Sequence, residues 1–260
     1  MNEVSMHLRF LAACAIAQEA GQLVRRRFLE RDEALELTFK GPQDYLTETD
    51  AEVEKLIALR LSQAFPDDGF FGEEGGGAFG ASVWIVDPID GTADFARGVA
   101  YFCVSIAFVH EGRTQIGVLY DPMAGELFAA RHGGGATLNG RPIKVSAIDD
   151  PRKSIVELGW SPRAPFDDYL KVATRLNELG AGVKRRGSGA LGLAYVAAGR
   201  QDAYCELHIN AWDAAAAVLL IEEAGGWTND FLTAQCLERG NRVIGCTPKL
   251  REALEIAMHV

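Results

Sequence analysis

The chain has 260 residues, 48% of them hydrophobic and 24% charged, and a formal net charge of −10. That length suits one large domain with a full core, and the composition excludes a disordered segment. The acidic balance argues against a general nucleic-acid binder, and an acidic protein that handles an anionic substrate needs local positive charge, which metal ions can supply.

In chain order, Leu8, Leu11, Ala12, Ala15, Ile16, Leu23 and Phe28 recur near helical spacing and predict a helix over residues 5–29. Arg25, Arg26 and Arg27 close it, where cations complement the helix dipole. A second helix is predicted over 49–64, with Thr49 as N-cap and Asp50 and Glu52 in its first turn. Val83 to Val86 reads as a short buried strand ended by Asp87-Pro88. Strands at 103–110, 115–120 and 127–130 follow, and Asn139-Gly140 marks a hairpin between 136–138 and 143–145. After Asp149-Asp150-Pro151 the pattern changes to helices at 166–179, 190–198, 212–224 and 248–258, alternating with short strands. The chain thus reads as a single domain over 1–260. Its subdomains are 1–148, two helices plus an antiparallel meander, and 149–260, an α/β half.

No run approaches the roughly 18 uncharged apolar residues that a membrane span needs. Glu3, and the lack of a long apolar run before Arg25, argue against a signal peptide. The odd set Cys14, Cys103, Cys205, Cys236 and Cys246 contains no C-x-x-C spacing and reads as reduced, buried thiols in a cytoplasmic protein.

The strongest chemical feature is Asp87-Pro88-Ile89-Asp90-Gly91-Thr92. Two carboxylates at a strand end beside a helix start can hold hard cations, and the backbone N–H groups can face an anion. The same residues also suit a plain turn. Upstream lies Phe71-Gly72-Glu73-Glu74-Gly75 in a glycine-rich loop, and downstream Trp212-Asp213 opens a helix that ends at Gly225-Gly226.

Gly72-Glu73-Glu74, Asp87-Pro88-Ile89-Asp90-Gly91-Thr92 and Trp212-Asp213 with Glu223-Ala224-Gly225-Gly226 resemble, in order and spacing, the signature segments of the inositol monophosphatase family. The similarity is clearest from Asp50 to Gly226. It implies a layered α-β-α-β-α sandwich, of mixed α+β and α/β character, of the inositol monophosphatase and fructose-1,6-bisphosphatase type. By resemblance, Glu73, Asp87, Asp90, Asp213 and the Ile89 carbonyl are metal ligands, so the first subdomain carries most of them. Asp50, Thr92 and Glu73 are catalytic, and Gly91 and Thr92 bind phosphate. Asp90, Gly187, Ser188, Gly189, Glu206 and Asp213 touch the substrate, and Lys40 occupies the place of a loop lysine near the metals. The implied cofactor is Mg2+, two or three ions per site, with Mn2+ as an alternative.

The physics of this set is coherent without the family. Converging carboxylates repel and have raised pKa values unless cations neutralise them. Oxygen ligands suit Mg2+ or Mn2+ better than zinc, and His7, His110, His132, His208 and His259 show no metal-ligand spacing.

The resemblance implies metal-dependent hydrolysis of a small polyol or sugar phosphate monoester, inositol 1-phosphate first, by direct attack of a metal-activated water. The alternatives within the family are histidinol phosphate, fructose bisphosphate and adenosine 3′,5′-bisphosphate; one of another class is a regulatory binding partner with secondary phosphatase activity. Lithium sensitivity and a homodimer are family expectations; no membrane and no nucleic-acid partner are expected. Gly187 to Gly192 fits G-x-G-x-x-G, but the preceding Val183 to Arg186 is a poor buried strand and a lone fingerprint is weak. Lys184-Arg185-Arg186 reads as a solvated strand face, with a substrate-edge role for one arginine as the alternative.

Overall fold

The structure is a computed structural model that describes residues 1–30, 48–77, 80–233 and 235–260 in full, and the backbone alone of 38–41 and 44–46. Helix α1 (Glu3–Glu30) leads to a hairpin of β1 (Thr38–Gly41) and β2 (Asp44–Leu46), then to α2 (Glu48–Ala64). Next come β3 (Gly69–Gly72), β4 (Gly76–Gly77), β5 (Ser82–Asp90) and the short α3 (Thr92–Arg97). A meander follows: β6 (Cys103–His110), β7 (Arg113–Asp121), β8 (Glu126–Arg131), β9 (Ala136–Leu138) and β10 (Arg141–Pro142). The second half runs β11 (Ile155–Leu158), α4 (Phe166–Glu178), β12 (Gly182–Lys184), α5 (Gly189–Ala197), β13 (Ala203–Ile209) and α6 (Ala211–Glu223). It closes with β14 (Trp227–Thr228), α7 (Cys236–Arg239), β15 (Asn241–Cys246) and α8 (Arg251–Ala257).

Among the described residues one sheet has the order β10-β9-β8-β7-β6-β5-β3-β4 and another β12-β11-β13-β15-β14. Helices α1 and α2 cover one face of the larger sheet, where Ala13, Ala17 and Ile57 meet Trp84, Val86, Ile106 and Phe108. Helices α5 and α6 fill the space between the sheets, against Val83, Ile85 and Ala107 on one side and Tyr204 and Val243 on the other. Helices α4 and α8 close the outer face of the smaller sheet, with Val172, Leu176 and Leu254 on Val156, Leu158 and Ile244. The result is an α-β-α-β-α sandwich, with each apolar sheet face covered by apolar helix faces.

Helix α6 owes its seat to small side chains. Ala214, Ala215, Ala216 and Ala217 are buried, and a Cβ on Gly117 of β7 would lie 2.3 Å from the Ala216 carbonyl oxygen. Only glycine lets helix and strand approach so closely.

Several boundaries differ from the sequence reading. Helix α2 begins at Glu48, so Thr49 lies inside its first turn and is not the N-cap. Strand β5 does not stop at Asp87-Pro88 but runs to Asp90. The expected strand at 143–145 is replaced by the short β10, which ends at Pro142, a residue with no N–H for the ladder. The meander itself is antiparallel, and Asn139 (φ 49°) and Gly140 (φ 73°) make its β9–β10 turn. The residues at 248–258 divide into a 3-10 turn, Pro248–Leu250, and α8. No helix is long and apolar enough to cross a membrane among the described residues. All five thiols are unpaired, and four of them are buried.

Candidate active site

The run Asp87 to Asp90 is a bulge. Asp87 pairs with Ser105 and Asp90 with Cys103, so three steps along β5 match two along β6. Side chains alternate along a strand, and three regular steps would send the two aspartates to opposite faces. The extra residue puts both on the face that Cys103 and Ser105 share. Pro88, which cannot donate to a ladder, sits inside that irregularity. The face is the one that meets α6, because the Ser105 hydroxyl donates to the Trp212 carbonyl (2.9 Å).

Asp213 stands in the first turn of α6, where its Oδ2 accepts from the Asn210 backbone N–H (3.2 Å) as part of a capping box. One carboxylate oxygen from each of Asp87, Asp90 and Asp213 lies within 4.8 Å of the other two. Asp90 is clamped from a third direction. Its Oδ2 accepts from the Ser188 hydroxyl, and from the Ala190 N–H (2.8 Å) at the start of α5.

Burial first, and then the charges of Glu73, Asp213 and Asp90, hold the Asp87 carboxyl well above the ordinary range. Burial pushes Asp90 up to about 6 against the hydrogen bonds that lower it, and Asp213 up to about 8 with Asp90 adding to the rise. Three carboxylates, two of them buried and Asp213 half-buried, cannot all ionise so close together without a cation. The donors are all oxygen, which suits a hard divalent ion, so Asp87, Asp90 and Asp213 fit the metal that the sequence implied.

Glu73 reaches the same cluster from the loop after β3. Its N–H donates to the Val86 carbonyl (3.1 Å), and its charge raises the pKa of Asp87. Glu54 on α2 fixes that loop: its carboxylate accepts from the N–H groups of Glu74 (2.8 Å) and Gly75 (2.7 Å). Sequence reasoning missed Glu54. The available signal was its place one helical turn after Asp50, on the side of α2 that buries Val53 and Ile57.

The Thr92 hydroxyl lies 3.1 Å from Asp50 Oδ1 and 2.8 Å from the Ile89 carbonyl oxygen. Gly91 precedes it in the left-handed region (φ 98°), and a Cβ there would come 2.7 Å from the Tyr101 carbonyl oxygen. Glycine is therefore required where β5 turns into α3.

A cavity of about 200 Å³ opens beside the cluster, lined by Asp90, Asp213, Glu206, Gly187 and Gly189 among others. Burial pushes Glu206 up to about 8, and the Tyr204 hydroxyl donates to it (2.6 Å). Ser188 is fully buried and turned to Asp90, and it does not line the cavity. His208 meets the Arg239 carbonyl (2.7 Å). Lys184 lies on the exposed edge strand β12; Arg186 turns inward, 3.1 Å from the buried Glu157. Sequence reasoning did not find Trp160 or Arg163, which also line the cavity. The side chain of Lys40 lies outside the described residues.

The layered sandwich and its carboxylate cluster define a phosphatase. Residues 7–257 match the inositol monophosphatase family, and the chain belongs to that family. It is 39% identical over 245 residues to the Nus factor SuhB of Pseudomonas aeruginosa, covering 90% of each chain. It is also 39% identical over 247 residues to the inositol-1-monophosphatase of Rhizobium meliloti, covering 91% of this chain and 92% of the relative. The crystal structure of the extragenic suppressor protein suhB from Bartonella henselae superposes with a TM-score of 0.88 at 35% identity, over 95% of this chain and 97% of that one. The family is generally metal-dependent, in keeping with the oxygen donors gathered here.

Proposed function

We propose that the chain hydrolyses a small polyol or sugar phosphate monoester, inositol 1-phosphate in the first instance, with Mg2+ as its cofactor and Mn2+ as a substitute. The observation that carries this reading is the trio Asp87, Asp90 and Asp213, with carboxylate oxygens within 4.8 Å of one another beside a cavity that also holds Glu206. These carboxylates would hold the ions, with Glu73 and the Ile89 carbonyl completing the donor set. When bound, such cations neutralise phosphoryl charge and make water more acidic.

The chain's own groups supply the rest. Thr92 Oγ, set between Asp50 and the Ile89 carbonyl, is placed to take a proton from the attacking water as it passes its own proton to the Asp50 carboxylate. The Gly91 and Thr92 N–H groups stand at the start of α3, where helix geometry leaves donors free for a phosphate oxygen. Glu206, oriented by Tyr204, accepts from substrate hydroxyls, and Gly187 and Gly189 keep the wall open to them. Ser188 contributes through Asp90.

The two halves, 1–148 and 149–260, act as one catalytic unit in this reading: Asp50, Glu73, Asp87 and Asp90 come from the first, and Glu206 and Asp213 from the second. A cytoplasmic homodimer inhibited by lithium belongs to the same proposal. The relatives named Nus factor favour a second, regulatory binding role beside hydrolysis, which co-purification of a protein or nucleic acid with the tagged chain would reveal.

The test of the main reading is phosphate release, with and without Mg2+. The substrates are inositol 1-phosphate, histidinol phosphate, fructose 1,6-bisphosphate and adenosine 3′,5′-bisphosphate. Metal-dependent release is expected. A folded, metal-loaded protein that releases phosphate from none of them would overturn it.

A further inference from the structure

Tyr204 and Glu206 stand two residues apart on β13, so their side chains share one face of the strand, and both line the cavity. Both are buried, at 2% and 6% exposure. The Tyr204 hydroxyl donates to Glu206 Oε2 at 2.6 Å, while Glu206 Oε1 accepts from no group among the described residues and is left to the cavity. The Tyr204 ring lies in a seat of glycines. A Cβ on Gly189 would come 2.9 Å from its hydroxyl oxygen, and one on Gly192 would come 2.6 Å from its Cδ2. Gly159, just after β11, completes the seat: a Cβ there would lie 2.3 Å from both Glu206 Oε2 and the Tyr204 hydroxyl oxygen. The Gly159 backbone is held in place, because its N–H donates to the Cys205 carbonyl at 2.9 Å and continues the β11–β13 pairing. Its φ is not positive, so alanine suits the backbone there, and only the space taken by the Tyr204–Glu206 pair calls for glycine.

We propose that Gly159 and the Tyr204 hydroxyl are positioning residues that hold Glu206 with one oxygen turned to the cavity, and that this setting makes the site prefer an alcohol bearing a hydroxyl over the same ring without one. The inference rests on the phosphatase reading and adds to it the groups that fix Glu206. Neither residue touches the substrate; each acts through the Glu206 carboxylate. A side chain already held in one conformation does not lose that freedom again when a substrate hydroxyl binds, so the contact keeps more of its free energy.

Inositol 1-phosphate and cyclohexyl phosphate share a ring size and a scissile ester, and the second has no ring hydroxyl. The measurement is kcat and KM for phosphate release from each at saturating Mg2+, in the unaltered protein, Tyr204→Phe and Gly159→Ala. Phenylalanine keeps the ring in its seat and removes only the donor; alanine keeps the donor and crowds the pair. Each substitution should raise KM for inositol 1-phosphate by about tenfold, the lower end of the scale for a hydrogen bond to a charged group. Its kcat should stay the same, as expected when a contact made equally in the ground and transition states is lost. The kcat/KM for cyclohexyl phosphate should not change. In a Glu206→Ala background, adding Tyr204→Phe should have no further effect on KM.

A KM for inositol 1-phosphate that neither substitution moves overturns the inference alone, and so does an equal loss on both esters, which a merely structural role gives. An effect of Tyr204→Phe that persists without Glu206 also overturns it, since the hydroxyl then acts on the substrate directly. If the unaltered, folded and metal-loaded protein hydrolyses neither ester, the phosphatase reading fails for these substrates and the inference falls with it.

Discussion

Replacing Asp90 by asparagine should make the metal-free protein more stable at neutral pH while abolishing its activity. The carboxyl of Asp90 has an ordinary pKa of 3.8 and sits at about 6 in the fold. A shift of about 2 units corresponds to about 3 kcal/mol that ionised Asp90 costs the folded state. Because the folded value is raised, the cost is absent below about pH 4, grows as pH rises, and is complete above about pH 6. Asparagine keeps an acceptor for the Ser188 hydroxyl and the Ala190 N–H, the two groups that hold Asp90 Oδ2, and removes the charge facing Asp87 and Asp213. Urea denaturation of chelator-treated protein should find Asp90→Asn more stable than the unaltered chain by about 3 kcal/mol at pH 7.5, and the two alike at pH 4. Saturating Mg2+ should reverse the order, since a ligand that binds only the folded state stabilises it in proportion to its affinity. A variant less stable than the unaltered chain at pH 7.5 without metal would refute the argument that burial makes the ionised Asp90 costly to the fold.

Other perturbations separate the parts of the account. Glu54→Gln should raise the Mg2+ concentration for half-maximal phosphate release by about tenfold, because the Glu73 loop loses a charged acceptor for two of its N–H groups. Gly91→Ala should cost about 1–3 kcal/mol in denaturation and remove activity, from the forced left-handed φ and the Tyr101 carbonyl 2.7 Å from the new Cβ. Arg9→Ala should lower stability by about 3 kcal/mol in the same assay, because it leaves the buried Asp68 without its guanidinium, yet kcat should not change, since the pair lies at the α1 side of β5.

The sequence made the carboxylates legible because each sits at a local signal: a strand running into Asp-Pro, a helix opening at Trp212-Asp213. Their meeting was legible through the family resemblance and not through any local pattern. It depends on a one-residue register shift between Asp87 and Asp90, and no local pattern shows whether a strand stops at a proline or bulges around it. The N-cap assigned to Thr49 failed for a related reason, since two threonines flank Glu48 and both suit a helix start. Glu54, Arg163 and Trp160 escaped because their places come from tertiary partners: Glu54 serves a loop 20 residues on, and Trp160 and Arg163 meet Arg185 only as common lining of the cavity. Glu206 was legible through the family resemblance, but the Tyr204 hydroxyl that orients it was not.

The most direct test of the central claim is a crystal of the protein grown with Mn2+, read by the anomalous signal of the metal. The account predicts at least one peak within coordination distance of oxygens from Asp87, Asp90 and Asp213, lost in crystals of Asp213→Asn. Saturating Mn2+ with no peak among those three carboxylates would contradict it.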